Sequence, residues 1–320
     1  MKSLSNEIRR ARPLLGTIVE IAVPARDAST AIEAAFREIE TIHRLMSFHD
    51  LSSDISRVNR AEPGEIVHLD PRTHEVLAYA QLMSRLSAGA FDVTVGGKLC
   101  EEKILPEPAQ TKTFDSQARS QDVVLLPNQS ITLTRRAWLD LGGIAKGYAV
   151  DRAVMALKKF GVVSGIVNAG GDLCVFGAAQ PVHIRHPENP GLTLPLGRIL
   201  NSAVASSSGC FNEPGHDYRV RDPLVDPRRN RRLNWQFGVT VFAPRCVIAD
   251  ALTKVVRLAI RRAPRILSRF GASALIIERG GLRVLCPGRN QAMTCRLKSA
   301  DRVMSLGNLA SIPRQLQTLL

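Results

Sequence analysis

Cysteine pairs at metal-binding or disulfide spacing are missing from this sequence. Its 320 residues include six cysteines, but no C-x-x-C occurs and no histidine lies near them at zinc-finger spacing. The sequence therefore indicates neither a zinc knuckle nor a disulfide framework. The simplest interpretation is a set of reduced thiols in a cytoplasmic protein. The six are Cys100, Cys174, Cys210, Cys246, Cys286 and Cys295.

Long apolar runs are also absent. No stretch reaches the roughly 18 consecutive apolar residues of a membrane-spanning helix. Residues 1–12 are highly charged, and no apolar segment of a secretory signal follows them, so the Arg9-Arg10 pair resembles a twin-arginine signal only superficially. We therefore expect a cytoplasmic protein with no membrane partner.

Tyrosine and tryptophan are scarce, with three Tyr and two Trp. Proteins that read single-stranded RNA stack its bases on aromatic side chains, and no such aromatic motif is present. The 43 Lys and Arg residues nevertheless outnumber the 29 Asp and Glu residues and give a formal net charge of +14, which attracts anions. We expect anionic ligands but no specific nucleic-acid partner.

The remaining composition is that of a globular protein. Hydrophobic residues make up 45% of the chain and charged residues 22%, and the mean hydropathy is -0.02. These values exclude a disordered chain. The length exceeds that of a usual domain, so residues 1–320 are expected to form either one large α+β unit or two sub-domains with a ligand cleft between them.

Hydrophobic periodicity predicts the main elements. Residues 14–23, rich in β-branched side chains, predict a first strand. Residues 28–46 carry apolar side chains at three- and four-residue steps and predict an amphipathic helix. A second helix is predicted over residues 71–87, with Gly89 at its C-cap. Further strands are predicted at 130–134, 165–167, 173–176 and 238–242, and further helices near Ile144 and Ala249.

Strands and helices mix without the strict alternation of a doubly wound sheet, so the expected class is α+β. Residues 210–232 are polar, contain proline and are dense in arginine, which is typical of a long surface loop. Two interpretations of this loop stay open: a solvated basic surface, or a surface that recognises phosphate or an acidic client.

The segment LDLGGIAKGYAVD, residues 139–151, combines small residues with charged ones. Gly142 and Gly143 precede a predicted helix start, where free backbone N–H groups and the helix dipole suit an anion. Lys146 adds a positive charge. The segment is not a Walker A loop, because Lys146 precedes Gly147 and no Ser or Thr follows to hold magnesium. The alternative is a tight turn whose glycines allow close packing.

Two further segments combine small residues with polar ones, and the first of them lies between two predicted strands. NAGGD, residues 168–172, would let a flat ligand approach the backbone, or would mark a bulge or turn. ASSSGCF, residues 205–211, offers hydroxyl groups to a phosphate or a ring edge, and its alternative is a polar turn.

The segment ADALTKVVRLAI, residues 249–260, has an apolar helical stripe with Asp250 at its N-terminal edge, where a carboxylate can cap free N–H groups. Lys254 lies four residues after Asp250, on neighbouring surface. The simpler interpretation of this pair is a surface ion pair.

Together and in order, these segments resemble the signatures of the ApbE family, the FAD:protein FMN transferases. The resemblance extends from about residue 9 to about residue 288, and LDLGGIAKGYAVD is its most specific part. It implies an α+β fold with mixed or antiparallel sheets and flanking helices around a flavin cleft. The matching segments are LLGTIVEI, MSFHDLSSDISRVN, FDVTVGG, LDLGGIAKGYAVD, NAGGD, SSSG and ADAL.

The resemblance implies a transferase that binds FAD, cleaves its pyrophosphate, attaches FMN through a phosphoester to a threonine of an unknown client flavoprotein, and releases AMP. It also implies Mg²⁺, held by the backbone carbonyl of Ala145 and the carboxylate of Asp250. Asp250 and Lys254 are the expected catalytic residues. The residues implied to line the FAD cleft are Met46, Ser47, Asp140, Gly143, Lys146, Gly170, Gly171 and Ser207.

Two positions depart from the family pattern. The family places a Thr or a carboxylate one helical turn after the Asp, whereas Lys254 stands here, and an ammonium has no lone pair for a metal. Either Lys254 points away, or its ammonium takes the place of the metal with Asp250 as its counter-ion. The family also has a loop His before an Asp-Pro pair, which this chain lacks in either register; His216 is a candidate substitute.

Three functions remain. The leading one is an active flavin transferase. The second is a family member that binds FAD, or hydrolyses it to FMN and AMP, without transfer to protein; both departures favour it. The third is a basic nucleic-acid-binding protein that uses the arginine-rich loop.

Overall fold

The structure is a computed structural model that describes residues 7–24, 28–108, 113–186, 191–208, 224–233, 237–278, 281–285 and 293–295. Its helices are α1 Ala28–Met46, α2 Asp54–Arg60, α3 Pro71–Ser87, α4 Gly96–Glu101, α5 Ala145–Lys159, α6 Cys246–Leu258 and α7 Ala263–Arg269. Its strands are β1 Glu7–Leu14, β2 Thr17–Pro24, β3 Val67–His68, β4 Val123–Leu126, β5 Ser130–Leu133, β6 Gly165–Ala169, β7 Asp172–Phe176, β8 Gln180–Arg185, β9 Thr193–Ile199, β10 Ser202–Ser208, β11 Val225–Asp226, β12 Arg231–Arg232, β13 Gly238–Ala243, β14 Ser273–Glu278, β15 Gly281–Leu285 and β16 Met293–Cys295.

The main sheet has the order β1-β2-β6-β7-β10-β13-β14-β15-β16 within the described residues. Each neighbouring pair in it is antiparallel. Smaller sheets are β3-β5-β4, β8-β9 and β11-β12. The predicted α+β class with antiparallel sheets is therefore confirmed.

Helices α5 and α6 pack directly against the middle of the main sheet. α5 packs on α1, β6 and β7, and α6 packs on α5, β10 and β13. Alternation in β6 turns Val167 and Ala169 into the core, while α1 buries a stripe that includes Phe36 and Ile39. Because α5 and α6 are covered on both sides, they hold the ends of the central strands in fixed positions.

Most predicted elements agree with the structure. The helices over residues 28–46 and 71–87 are confirmed with the same bounds. α3 ends on Ala88 in the left-handed conformation, φ 52°, one residue before the predicted cap Gly89. The predicted helix near Ala249 begins earlier, at Cys246, because the carboxylate of Asp151 binds the N–H groups of Cys246 and Val247.

The predicted first strand, residues 14–23, was wrong in its extent. Leu15 and Gly16 both adopt positive φ, 57° and 69°, and form a tight turn that joins two antiparallel strands, β1 and β2. This backbone matches the twist of a two-residue hairpin. The single glycine gave too weak a turn signal inside an otherwise apolar run.

The described part of the predicted loop 210–232 contains a short hairpin rather than irregular chain. β11 pairs with β12, and Val225 and Asp226 are buried. Arg228 bonds Asp226 through Nε and Nη2, each at 3.0 Å, which fixes the turn. Residues 209–223, including His216, lie outside the described residues. The division of the chain into one unit or two sub-domains stays a prediction.

None of the described helices has the length and apolar character that a bilayer crossing requires. The cytoplasmic location stays a prediction.

Candidate active site

Helices α5 and α6 are joined by carboxylates at their N-terminal ends. Asp151 of α5 accepts the N–H groups of Cys246 and Val247, at 2.8 and 3.1 Å. Asp250 of α6 accepts the N–H group of Gly147 at 3.0 Å. Asp250 was expected to cap its own helix, but it caps α5 instead, because it lies in the second turn of α6 and faces the start of α5. Each helix therefore satisfies free donors of the other.

Gly147 makes this arrangement possible. A Cβ added there would overlap the backbone carbonyl of Cys246 and would lie 2.8 Å from Cβ of Asp250. Only a glycine lets α5 approach α6 this closely. The sequence offered two interpretations of LDLGGIAKGYAVD, close packing or a ligand site, and the structure shows that they are compatible. The close packing of Gly147 positions its neighbour Lys146.

Two lysines and two aspartates form a charged cluster at this junction. Lys146 bonds Asp172, and its Nζ lies 3.9 Å from Oδ2 of Asp250. Lys254 bonds Oδ1 of Asp250 and also donates to the backbone carbonyl of Asp250 at 3.2 Å. The Asp250 side chain is 0% exposed and that of Lys254 16%. The predicted surface ion pair therefore joins a buried aspartate to a partly buried lysine.

Burial and charge shape the protonation states of this cluster. Burial by itself lowers the pKa of Lys146, but the charges of Asp250 and Asp172 outweigh it and raise that pKa above its ordinary value. Burial and the nearby charge of Asp250 raise the pKa of Asp172, opposed by the charge of Lys146. Lys146 is therefore an ammonium group at neutral pH.

A cavity of about 290 Å³ opens beside this cluster. Its floor combines the turn before α5 with one face of α6 and the end of β10. Aliphatic side chains and Phe91 also line it. The polar residues and glycines that line it are Asp92, Asp140, Gly142, Gly143, Ser207, Lys254 and Arg257.

Arg257 is a buried cation on the cavity wall, one helical turn after Lys254. It is 2% exposed, and its Nη1 donates to the hydroxyl of Ser207 at 3.2 Å. Its guanidinium lies 5.8 Å from the ring centroid of Phe237. Lys254 and Arg257 thus place two positive charges on one face of α6, toward the same cavity.

Asp140 lies at the mouth of the turn that precedes α5. It accepts the N–H group of Gly142 at 3.2 Å. Burial raises the pKa of its carboxyl, and the bond from Gly142 and the charges of His49 and Lys254 oppose that rise. The backbone of the preceding residue, Leu139, is held on both sides by the Asn59 side chain, at 2.7 and 3.0 Å.

The predicted site residues are placed as follows. Asp140, Gly143, Ser207 and Lys254 line the cavity. Lys146 and Asp250 belong to the adjoining charged cluster, and Ala145 is the first residue of α5. Gly170 and Gly171 form the positive-φ turn immediately before Asp172. Met46 ends α1, and the Ser47 hydroxyl accepts the N–H groups of His49 and Asp50 at 3.1 Å; neither lines the cavity.

The sequence left two interpretations open for the segment that contains Ser207: a hydroxyl-rich ligand site or a polar turn. In the structure Ser207 lies on strand β10, paired with Val239 of β13. Adjacent hydroxyls on this strand are tied across the sheet, Ser206 to Thr240 at 2.9 Å. The strand presents Ser207 on the opposite face, where it reaches Arg257.

Four important residues were not assigned roles from sequence. Asp172 and Asp151 end their motifs, and Asn59 ends SDISRVN, so their positions in the motifs were the available signal. Arg257 follows Lys254 by three residues, a spacing that puts both on one helix face. The signal for Arg257 was therefore present in the helical spacing alone.

The residues at Asp250 do not fit a divalent cation in this arrangement. Oδ1 accepts from Lys254, and Oδ2 accepts from Gly147 with Lys146 close by. The hydroxyl of Thr253 donates to the carbonyl of Asp250 at 2.7 Å, so it faces its own helix. A dication here would meet two ammonium groups. Within the described residues, no group of three or more His, Cys, Asp or Glu side chains could hold a metal.

Comparison with known proteins gives one consistent result. The model of the ApbE family matches residues 15–277. The chain is 25% identical over 308 residues to the FAD:protein FMN transferase of Treponema pallidum, with 85% of this chain and 84% of that protein covered. It is 26% identical over 249 residues to that of Haemophilus influenzae, with 69% and 71% covered.

Solved structures share the fold. The ApbE protein of Thermotoga maritima has a TM-score of 0.74 at 25% identity, with 88% of this chain and 97% of that chain covered. The flavin transferase ApbE from Vibrio cholerae also has a TM-score of 0.74, at 22% identity and with the same coverage, and this likeness supports the fold alone.

Proposed function

The chain belongs to the ApbE family, and from this membership we propose that it transfers FMN from FAD to a threonine of a client protein. Relatives that cover most of its length carry the name FAD:protein FMN transferase. The observation that carries the proposal is convergence. Segments far apart in sequence supply Asp140, Gly143, Ser207 and Lys254 to one cavity, and that cavity is lined by cations suited to a pyrophosphate.

The reaction forms one bond and breaks one. The threonine oxygen attacks the phosphorus of the FMN half, the bond from that phosphorus to the AMP oxygen breaks, and AMP leaves with the electron pair. The hydroxyl proton passes to a base. His216, the candidate named from sequence, lies outside the described residues, so its role stays a proposal.

Lys254 supplies the positive charge at the pyrophosphate. Its ammonium lies in the cavity wall and is held by Asp250, which fixes its position before any ligand arrives. Charge that builds on the phosphates during bond cleavage is offset by such a fixed cation. In this arrangement the ammonium of Lys254 takes the place that the family resemblance gives to Mg²⁺, with Asp250 as its counter-ion.

One assay tests the transferase function. The full chain is incubated with FAD and a client domain that carries an acceptor threonine, with and without Mg²⁺, while AMP release and client mass are followed together. Transfer gives one FMN mass added to the client for each AMP released. A Thr→Ala client is the matched control. If flavin fluorescence shows no saturable binding of FAD to the protein, the proposed function is wrong.

A second candidate is FAD hydrolysis without transfer. Lys254 favours it, because one charge replaces the two of magnesium and stabilises the transition state less. The same assay separates the two functions, since hydrolysis releases AMP while the client mass does not change.

A further inference from the structure

A second concave surface adjoins the cavity at the C-terminal end of α6. It is a groove of about 540 Å³ between the β11–β12 hairpin and the turn that joins α6 to α7. We call it the arginine groove. The arginines that line it are Arg228, Arg229, Arg257, Arg261 and Arg262.

The groove is strongly positive. Asp226 is the one acidic residue among the described residues that line it, and Arg228 neutralises it through two bonds of 3.0 Å. Arg228 also donates to the carbonyl of Leu258 at 2.6 Å, which ties the hairpin to the end of α6. Arg228 therefore builds the groove, while other arginines supply the charge that a ligand meets.

Three arginines present their charge to solvent. Arg229, Arg261 and Arg262 are exposed, and within the part of the chain that the structure describes, their guanidinium groups make no ion pair. Arg229 also acts on the charge of Asp226, but one carboxylate does not balance the arginines of the groove. Their mutual repulsion is relieved by a bound anion, which adds attraction as well.

The groove adjoins the reaction cavity. Arg257 and Leu258 line both, and Lys254 and Ser207 lie on the cavity side of Arg257. A chain bound in the groove would therefore lead one of its residues to the place where the pyrophosphate is cleaved. A site for an unrelated ligand has no need of this proximity.

The lining favours a polypeptide over a nucleic acid. Leu233, Ile260 and Ala259 add apolar surface between the arginines, which suits apolar side chains next to acidic ones. None of the described lining residues is aromatic, whereas proteins that bind single strands stack bases on aromatic side chains.

We propose that the arginine groove is the docking site for an acidic segment of the client protein. This inference rests on the transferase function and names the chemistry of its partner. Docking at the groove raises the local concentration of the acceptor threonine at the cavity, without contributing a group to the reaction itself.

The test uses a fluorescein-labelled peptide that carries glutamates, leucines and one threonine, and its matched form with glutamine in place of glutamate. Binding to the full chain is followed by fluorescence anisotropy. R261E/R262E reverses two charges of the groove. R265E/R269E reverses two exposed charges on α7 outside the groove and is the matched control. FAD binding by each variant is measured separately.

The glutamate peptide should bind the wild type, and the glutamine peptide should not. R261E/R262E should weaken peptide binding about tenfold or more, and R265E/R269E about twofold, with FAD affinity unchanged in both. Equal weakening by both variants would show a general field effect and overturn the proposal. Displacement of the peptide by pyrophosphate, or tighter binding of an oligothymidine strand, would also overturn it. If the wild type binds the peptide but does not bind FAD, the result would instead contradict the transferase function.

Discussion

Asp151 and Asp250 cap each other's helices: the carboxylate on α5 binds the start of α6, and the carboxylate on α6 binds the start of α5. The two have different surroundings. Asp250 also contacts Lys254 beside the cavity, whereas Asp151 is approached by Arg245 at 3.5 Å. Structural and chemical roles can therefore be separated by substitution at Asp151.

Asp151→Ala should lower the free energy of unfolding by about 2 kcal/mol, because two buried N–H groups at the start of α6 lose their acceptor. Urea unfolding followed by circular dichroism measures this. Asp70→Ala removes a less buried cap, which binds Arg72 N–H at 2.9 Å, and should cost about 1 kcal/mol. Equal costs at both positions would contradict the importance of burial.

The stability contribution of Asp151 should depend on pH. Burial raises the pKa of this carboxyl above its ordinary value, against the backbone bonds from Cys246 and Val247 and the charge of Arg245. The folded protein therefore binds a proton at a higher pH than the unfolded chain. The free energy of unfolding of the wild type, relative to that of Asp151→Asn, should therefore rise as the pH falls through the folded pKa of Asp151 toward 3.8, the ordinary value. Urea titrations of both proteins across this range measure the difference, and a difference that falls with acidification would reverse the sign.

Lys254→Thr should create a magnesium site. The substitution frees Oδ1 of Asp250 and places a hydroxyl oxygen one helical turn after it. Calorimetric titration with Mg²⁺, with FAD bound, should show binding to the variant and weak or no binding to the wild type. AMP release by the variant should become metal-dependent.

The control for this experiment is Lys159→Thr, which removes an exposed lysine at the end of α5 and should leave both titrations unchanged. Identical tight Mg²⁺ binding by the wild type and Lys254→Thr would contradict the proposal that the ammonium replaces the metal.

The buried thiols should resist alkylation in the native protein. Burial raises the pKa of Cys100 to about 11 and that of Cys174 to about 12, and it raises the pKa of Cys246 well above its usual value. At pH 8 the reactive thiolate at Cys100 is about a thousandth of the total. Iodoacetamide labelling mapped by mass spectrometry should find these three sites protected in buffer and modified in urea. Rapid native labelling at Cys246 would contradict its burial.

The helices with long apolar stripes were predictable, because α1 and α3 carry their periodicity and their end signals locally. The Leu15–Gly16 turn was not, since its conformation is imposed by the pairing of β1 with β2 rather than announced by turn residues. Strand β10 was missed for the same reason: its serines have little strand propensity, and its neighbours β7 and β13 hold it.

The site was predictable as a set of segments but not as a set of contacts. Motif matching selected Asp250 and Lys254, and their spacing predicted an ion pair. Asp250 caps α5 instead of its own helix because of the way in which α5 crosses α6. The spacing of residues within one helix carries no information about that crossing. The neutralising role of Asp172 toward Lys146 likewise arises from tertiary packing.

The absent side chain of Gly147 has a consequence for catalysis. Because α5 and α6 touch there without intervening atoms, Lys146 and Lys254 are mounted on a single rigid body. The free-energy cost of bringing the two lysines close together is met when the protein folds. The lysines therefore need little rearrangement when a pyrophosphate enters. Substitutions that loosen this helix contact would then slow turnover without altering any group that touches FAD.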